Sequence, residues 1–232
     1  MKPAILAMAA LAAITISACA IAPADMARPV ALQSASATPI TGIGAGERGS
    51  FAVGQNTGSF SRSATKLSFF DLFNMRDGGA NFTLQGADFQ NGLQVACTMR
   101  ERAVTIDIVE FKPGPMALGC DVRSNGQIAP VMLEVQEAAA DFTNHEQRRG
   151  RVMVDGAALD IRSVHEIAGS PLPTAAPMGY VFERNGVAVG GVDLNNGPVV
   201  FEAPTASTAD RKAVLLAAVA LSVFWDPANL DA

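Results

Sequence analysis

From Gly49 to Pro204, apolar and polar residues mostly alternate along the chain. Leu93, Val95, Cys97 and Met99 fall on one side of the repeat, against Gln94, Ala96 and Thr98 on the other. Val104, Ile106 and Ile108 oppose Thr105 and Asp107, and the phase then flips to Val109 and Phe111. Val131, Leu133 and Val135 alternate with Met132 and Glu134, and the style continues at Tyr180 and Phe182, Val187 and Val189, and Val199 and Phe201. Successive side chains of a strand point to opposite faces, so this repeat predicts strands with one buried and one wet face. The flip after Ile108 reads as a β-bulge, whose extra residue exchanges the two faces.

The punctuation agrees with strands. Asp77-Gly78, Asn91-Gly92, Asn125-Gly126, Asp155-Gly156, Asn185-Gly186 and Asn196-Gly197 are Asx-Gly pairs between the alternating runs. Such pairs tolerate the positive φ that two-residue hairpins require, so together they predict an antiparallel meander of about ten to twelve strands. The period changes near the end of the chain. Ser207-Thr208-Ala209-Asp210 offers a capping-box start, and Val214 to Trp225 follows with only Ser222 interrupting it before Asp226-Pro227. Ala213, Ala217, Ala218, Ala220 and the leucines favour helix over strand. At about 18 Å this apolar run falls short of the roughly 30 Å hydrocarbon core of a bilayer. A helix apolar on every side must be enclosed by protein. The reading is therefore a mainly β domain: a closed antiparallel barrel with the C-terminal helix buried in its lumen. A β-sandwich capped by the helix is the alternative.

Two segments carry a family resemblance. They are the strand-turn-strand Tyr180-Val181-Phe182-Glu183-Arg184-Asn185-Gly186-Val187-Ala188 and the helix from Asp210-Arg211-Lys212-Ala213-Val214 to Leu221. Here the chain resembles the tubby C-terminal-like superfamily, which includes LURP-one-related and scramblase-type domains. The similarity covers the C-terminal segments well and reaches residues 50–170 only by pattern. It implies the closed barrel around a central helix. The phosphoinositide binding of tubby, which uses a basic surface, does not carry over to this acidic chain.

The N-terminal residues follow other rules. Met1-Lys2-Pro3 precedes an apolar stretch from Ala4 to Ile16, the layout of a secretory signal peptide over residues 1–18. Its end, Ile16-Ser17-Ala18-Cys19, resembles the bacterial lipobox, which implies acylation of Cys19 and cleavage before it. Several acyl chains, at about 0.8 kcal/mol per buried methylene, make a stable membrane anchor. Among lipoproteins Asp after the cysteine favours the inner membrane; Ala20 here implies the periplasmic face of the outer membrane. Residues 19–48 are rich in Ala, Ser, Thr, Pro and Gly without a hydrophobic period, and read as a lipidated flexible tether on the order of 30 Å long. Residues 49–232 then form a single domain.

Composition and charge narrow the chemistry. The 232 residues are 49% hydrophobic and 17% charged, which argues against disorder. The net charge of −5, or −6 without the leader and its one lysine, disfavours nucleic acid. With Cys19 acylated, Cys97 and Cys120 remain, each on the apolar parity of its strand and in an oxidising compartment, so they are expected to form a disulfide. No histidine stands at ligand spacing to them, so neither zinc nor another cofactor is implied.

Three motif matches lack their context. Gly44-Ala45-Gly46-Glu47-Arg48-Gly49 fits a dinucleotide pattern but lies after a Pro-rich stretch and before a strand. Ser63-Ala64-Thr65-Lys66 fits S-x-x-K but sits in a strand without its partner motifs. His165 follows Leu159 and Ile161 on the inward parity and reads as a satisfied core or rim residue, while His145 lies in a polar loop. The basic segments Arg100-Glu101-Arg102 and Arg148-Arg149-Gly150-Arg151 are solvated charge or contacts to lipid phosphates. No catalytic residue is identified. The expected function is a non-catalytic, lipid-anchored envelope protein that binds a protein or lipid of the envelope or supports an assembly. A periplasmic hydrolase is the alternative.

Overall fold

The computed structural model describes residues 24–69, 72–106, 109–138 and 147–225; Cys19, with the lipobox and leader, and His145 lie outside them. Among the described residues thirteen strands follow one another: β1 (Ser36–Thr41), β2 (Arg48–Val53), β3 (Asn56–Phe69), β4 (Phe73–Gly86), β5 (Leu93–Ile106), β6 (Val109–Ser124), β7 (Gln127–Ile128), β8 (Met132–Glu137), β9 (Arg148–Val154), β10 (Ala157–Val164), β11 (Gly179–Arg184), β12 (Val187–Asp193) and β13 (Val199–Glu202). The helix α1 (Thr208–Val223) comes last. Twelve strands pair antiparallel into a closed ring; β7 is a short excursion off β6, and β1 meets β13 to complete the circuit. The meander closes into a barrel rather than opening as a sandwich.

The lumen is filled by α1. Ser207 caps it, its hydroxyl accepting from the Asp210 amide while the Asp210 carboxylate accepts from the Ser207 amide, so two orphan donors of the first turn are satisfied. Arg184 pairs with the same buried carboxylate. Every residue from Ala213 to Val223 is buried. Small residues let the barrel wall approach: a Cβ on Gly190 would stand 2.4 Å from Val214 Cγ2, so β12 needs glycine where the helix passes. Cys97 and Cys120, directly opposite each other on β5 and β6, are joined by a disulfide.

The Asx-Gly turns are mostly where the pattern puts them. Asn125, Asp155 and Asn185 hold φ of 50 to 52° in the two-residue hairpins β6–β7, β9–β10 and β11–β12, and Asn196 holds 55° in the longer β12–β13 connection. Asn91-Gly92 closes the β4–β5 connection with only the glycine at positive φ. Asp77-Gly78 is a correction: it lies inside β4, where Arg102 donates to the Asp77 carboxylate at 3.0 Å and Gly78 lies against Met99 and Phe224. The phase flip after Ile108 is a second one. Ile106 pairs with Val109, so the chain reverses there instead of bulging. The bulges of this hairpin lie further down, where β6 gains residues opposite β5 around Arg102.

The tether expected over residues 19–48 is shorter than the composition suggests. Residues 36–41 are strand β1, paired with β2 and β13. Ahead of it, residues 24–35 lie across the outer face of β10 to β13, where Met26 and Leu32 are buried against Val164, Val181, Ala188 and Phe201. The Met26 amide donates to Asp193 Oδ2 at 2.8 Å. β11 and β12 therefore have two covered faces along most of their length, whereas β10 keeps an exposed outer face up to Ser163. The near-continuous apolar runs of β11 and β12 carry that signal, because strands buried on both sides do not alternate.

Candidate functional site

The barrel has two unlike ends. At the end where α1 begins, hairpin turns and the Lys212–Asp155 pair at 2.8 Å close the wall. At the other end α1 emerges, Ala24 is held by the Asn195 side chain, and a cleft of about 460 Å³ opens between Arg62, Arg148, Tyr180, Asn195 and Trp225. Arg62 projects inward from β3. Its guanidinium donates to the carbonyls of Gly44, Gly46 and Val223 and lies over the rings of Phe60 and Trp225, at 5.2 and 4.7 Å from their centroids. The last carbonyls of a helix have no partner within it and carry partial negative charge, so a cation here satisfies and stabilises the C-terminus of α1. Burial lowers the Arg62 pKa from its ordinary value. The Gly44–Gly49 match to a dinucleotide motif is thus part of a loop that feeds carbonyls to Arg62.

One pair has the form of a nucleophile and its base. Ser163 Oγ lies 3.0 Å from His165 Nε2, the two side chains sharing a face at the end of β10. His165 Nδ1 is 3.0 Å from the Thr174 carbonyl, so Nδ1 carries the proton and Nε2 accepts from the serine. The Ser163 oxygen also accepts from the Arg148 amide at 2.9 Å. Both residues are buried, at 7% and 6% exposure, and the Nδ1 partner is a carbonyl where hydrolases place a carboxylate. This geometry ties β9, β10 and the following loop together and engages the Ser163 hydroxyl in structural hydrogen bonds at low exposure. A fluorophosphonate probe is therefore expected to leave the Ser163 peptide unlabelled in the folded protein, read by peptide mass; labelling would establish a nucleophile.

The other sequence candidates separate. Ser63 and Lys66 lie mid-strand in β3. The segment from Arg100 to Arg102 splits: Glu101 turns inward, paired with Arg76 at 2.7 Å, Arg100 is exposed, and Arg102 pairs with Asp77 outside. Arg148 is buried and donates to the Tyr180 hydroxyl, whereas Arg151 pairs with Asp160 at 2.8 Å in solvent. Among the described residues no group of three or more His, Cys, Asp or Glu could hold a metal ion.

The most distinctive surface was not found from the sequence. β3 loses its β2 partner beyond Ser61, and β6 loses β8 beyond Ala117, yet β3 to β6 continue paired out to Phe69, Phe73 and the β5–β6 reversal. They form a four-stranded overhang at the end where α1 emerges. Cross-strand register aligns Phe69, Phe73, Val104 and Phe111 in one row on its outward face, with Leu67 and Met75 in the next. Phe69, Phe73 and Phe111 are 52%, 52% and 64% exposed. The inward face is polar: Ser68, Asn74 and Thr105 are hydrogen-bonded in sequence, and Arg76, Glu101, Lys112 and Glu137 form a chain of ion pairs. In the barrel body the apolar face points in; in the overhang it points out. The sequence signal was the density of apolar residues in 67–73, around a turn where polar residues are usual.

Comparison with family models, curated proteins and solved structures finds no match to this chain.

Proposed function

We propose that this is a lipid-anchored, non-catalytic protein of the bacterial cell envelope, whose barrel presents an outer surface for binding or assembly. The observation that carries the reading is the lumen. A barrel that transports or transforms a small molecule keeps its interior open to it, whereas here α1 occupies that space with buried Leu, Val and Ala side chains. The lipobox-like Ile16-Ser17-Ala18-Cys19 supplies the address, and a closed barrel around a C-terminal helix is what the tubby-like resemblance implies. The hydrolase alternative draws on the Ser163–His165 contact alone.

The anchor is tested by mass analysis of the mature N-terminus and by fractionation of Cys19→Ser beside the native chain. The native protein is expected to begin at an acylated Cys19 and to sediment with outer membranes, while the variant stays in the soluble periplasmic fraction. Equal sedimentation of an unacylated native chain and the variant would overturn the proposal.

A further inference from the structure

We propose that the outward apolar row at the tip of the β3–β6 overhang dips into the bilayer that holds the Cys19 anchor, so that the barrel docks rim-down on the membrane rather than hanging from it. The inference rests on the lipid-anchor reading of Cys19 for its choice of occupant. An apolar sheet face turned away from its own core must be covered by something, and the exposed Phe69, Phe73 and Phe111 make it too large to be incidental.

The reach of the chain selects the membrane. Ala24 is pinned at the same end of the barrel from which the overhang projects. Four residues lie between it and Cys19, so five Cα-to-Cα steps limit the leash to about 17 Å even when fully extended. The overhang, residues 63–69 of β3, rises by roughly 23 Å along the strand, or about 17 Å along the axis at ordinary barrel tilt. An acylated Cys19 therefore brings the bilayer surface to the level of the overhang, and the two lie on opposite sides of the rim, since β4 and β5 face β11 and β12 across the ring.

The chemistry of the face fits interfacial contact. Its tip row holds Phe69, Phe73, Val104 and Phe111, the next holds Leu67, Met75 and Arg102, and Arg100 stands one row further from the tip, at the depth of lipid phosphates. The overhang is too short to cross a core of about 30 Å. It reaches into one leaflet only.

The test uses the full chain, acylated, reconstituted in vesicles of phosphatidylethanolamine and phosphatidylglycerol with and without brominated acyl chains. Trp225 is the only tryptophan, so a Trp225→Phe background receives Phe111→Trp, Phe69→Trp or, at the far end of the barrel, Val187→Trp. Emission from the first two is expected to shift to the blue and to be roughly halved by brominated lipid, with the third unchanged. If the first two match the third, or shift without being quenched as a protein-covered face would, the inference is overturned. Mass analysis of Cys19 in the same samples separates that failure from failure of the anchor. An unacylated chain whose tryptophans are still quenched by added vesicles would keep the docking face and discard the anchor.

Discussion

Leu216→Asp is expected to abolish the folded domain. Leu216 sits in the middle of α1 with no exposure, surrounded by the barrel wall. Removing a buried leucine costs about 2–5 kcal/mol. An aspartate carboxylate there would have neither water nor a partner, and that desolvation adds several kcal/mol more. The sum is comparable to the whole stability of a domain, about 5–15 kcal/mol. Urea unfolding followed by circular dichroism should show no cooperative transition, whereas Leu216→Met should cost less than about 1.5 kcal/mol. Val187→Asp, at a position 58% exposed, is the control and should stay within about 0.5 kcal/mol of the native chain. A Leu216→Asp protein with a native midpoint would mean that α1 does not fill the lumen.

Loss of the Cys97–Cys120 disulfide should be the second large effect. The bond closes a segment with sequence separation 23, for which chain entropy alone suggests about 3 kcal/mol. It joins the paired β5 and β6 at the base of the overhang, just inside the place where β6 bulges. Under reductant, or in Cys97→Ser/Cys120→Ser, the urea midpoint should fall, and amide exchange should rise first along β5 and β6. Non-reducing gel mobility should change with reductant. An unchanged midpoint together with two titratable thiols would refute the bond.

Much of the fold could be read locally. The alternation at Leu93–Met99 and Val131–Val135 depends only on a strand having two faces, and the positive φ at Asn125, Asp155 and Asn185 depends only on Asx-Gly chemistry. The helix was legible from both of its ends, because the Ser207–Asp210 box and the following apolar run are properties of neighbouring residues. Asp77-Gly78 shows where local reading stops. The same dipeptide that turns the chain elsewhere lies in the middle of β4, where Arg102 from β5 takes up the Asp77 carboxylate.

What lies around the barrel was less legible for the same reason. Residues 24–35 have no period of their own; Met26 and Leu32 acquire a face only because β10–β13 offer one. His165 was read as a satisfied inward residue, but its partner Ser163 was not singled out, and the amide of Arg148 and the carbonyl of Thr174 that occupy the pair come from other segments. The outward phenylalanines could be counted in the sequence, yet their direction follows from pairing continued past the rim of the ring.

The sequence by itself determined that this chain makes antiparallel strands joined by tight turns, ends in a helix that must be enclosed, and carries two cysteines on inward faces. Those outcomes follow from residue chemistry within a few positions along the chain. Only the tertiary structure decided that the ring closes on twelve strands, that the N-terminal residues join the wall, and that one end presents its apolar side outward. These depend on which strands meet and where the pairing ends, and the free energy of such contacts is shared between residues far apart in sequence.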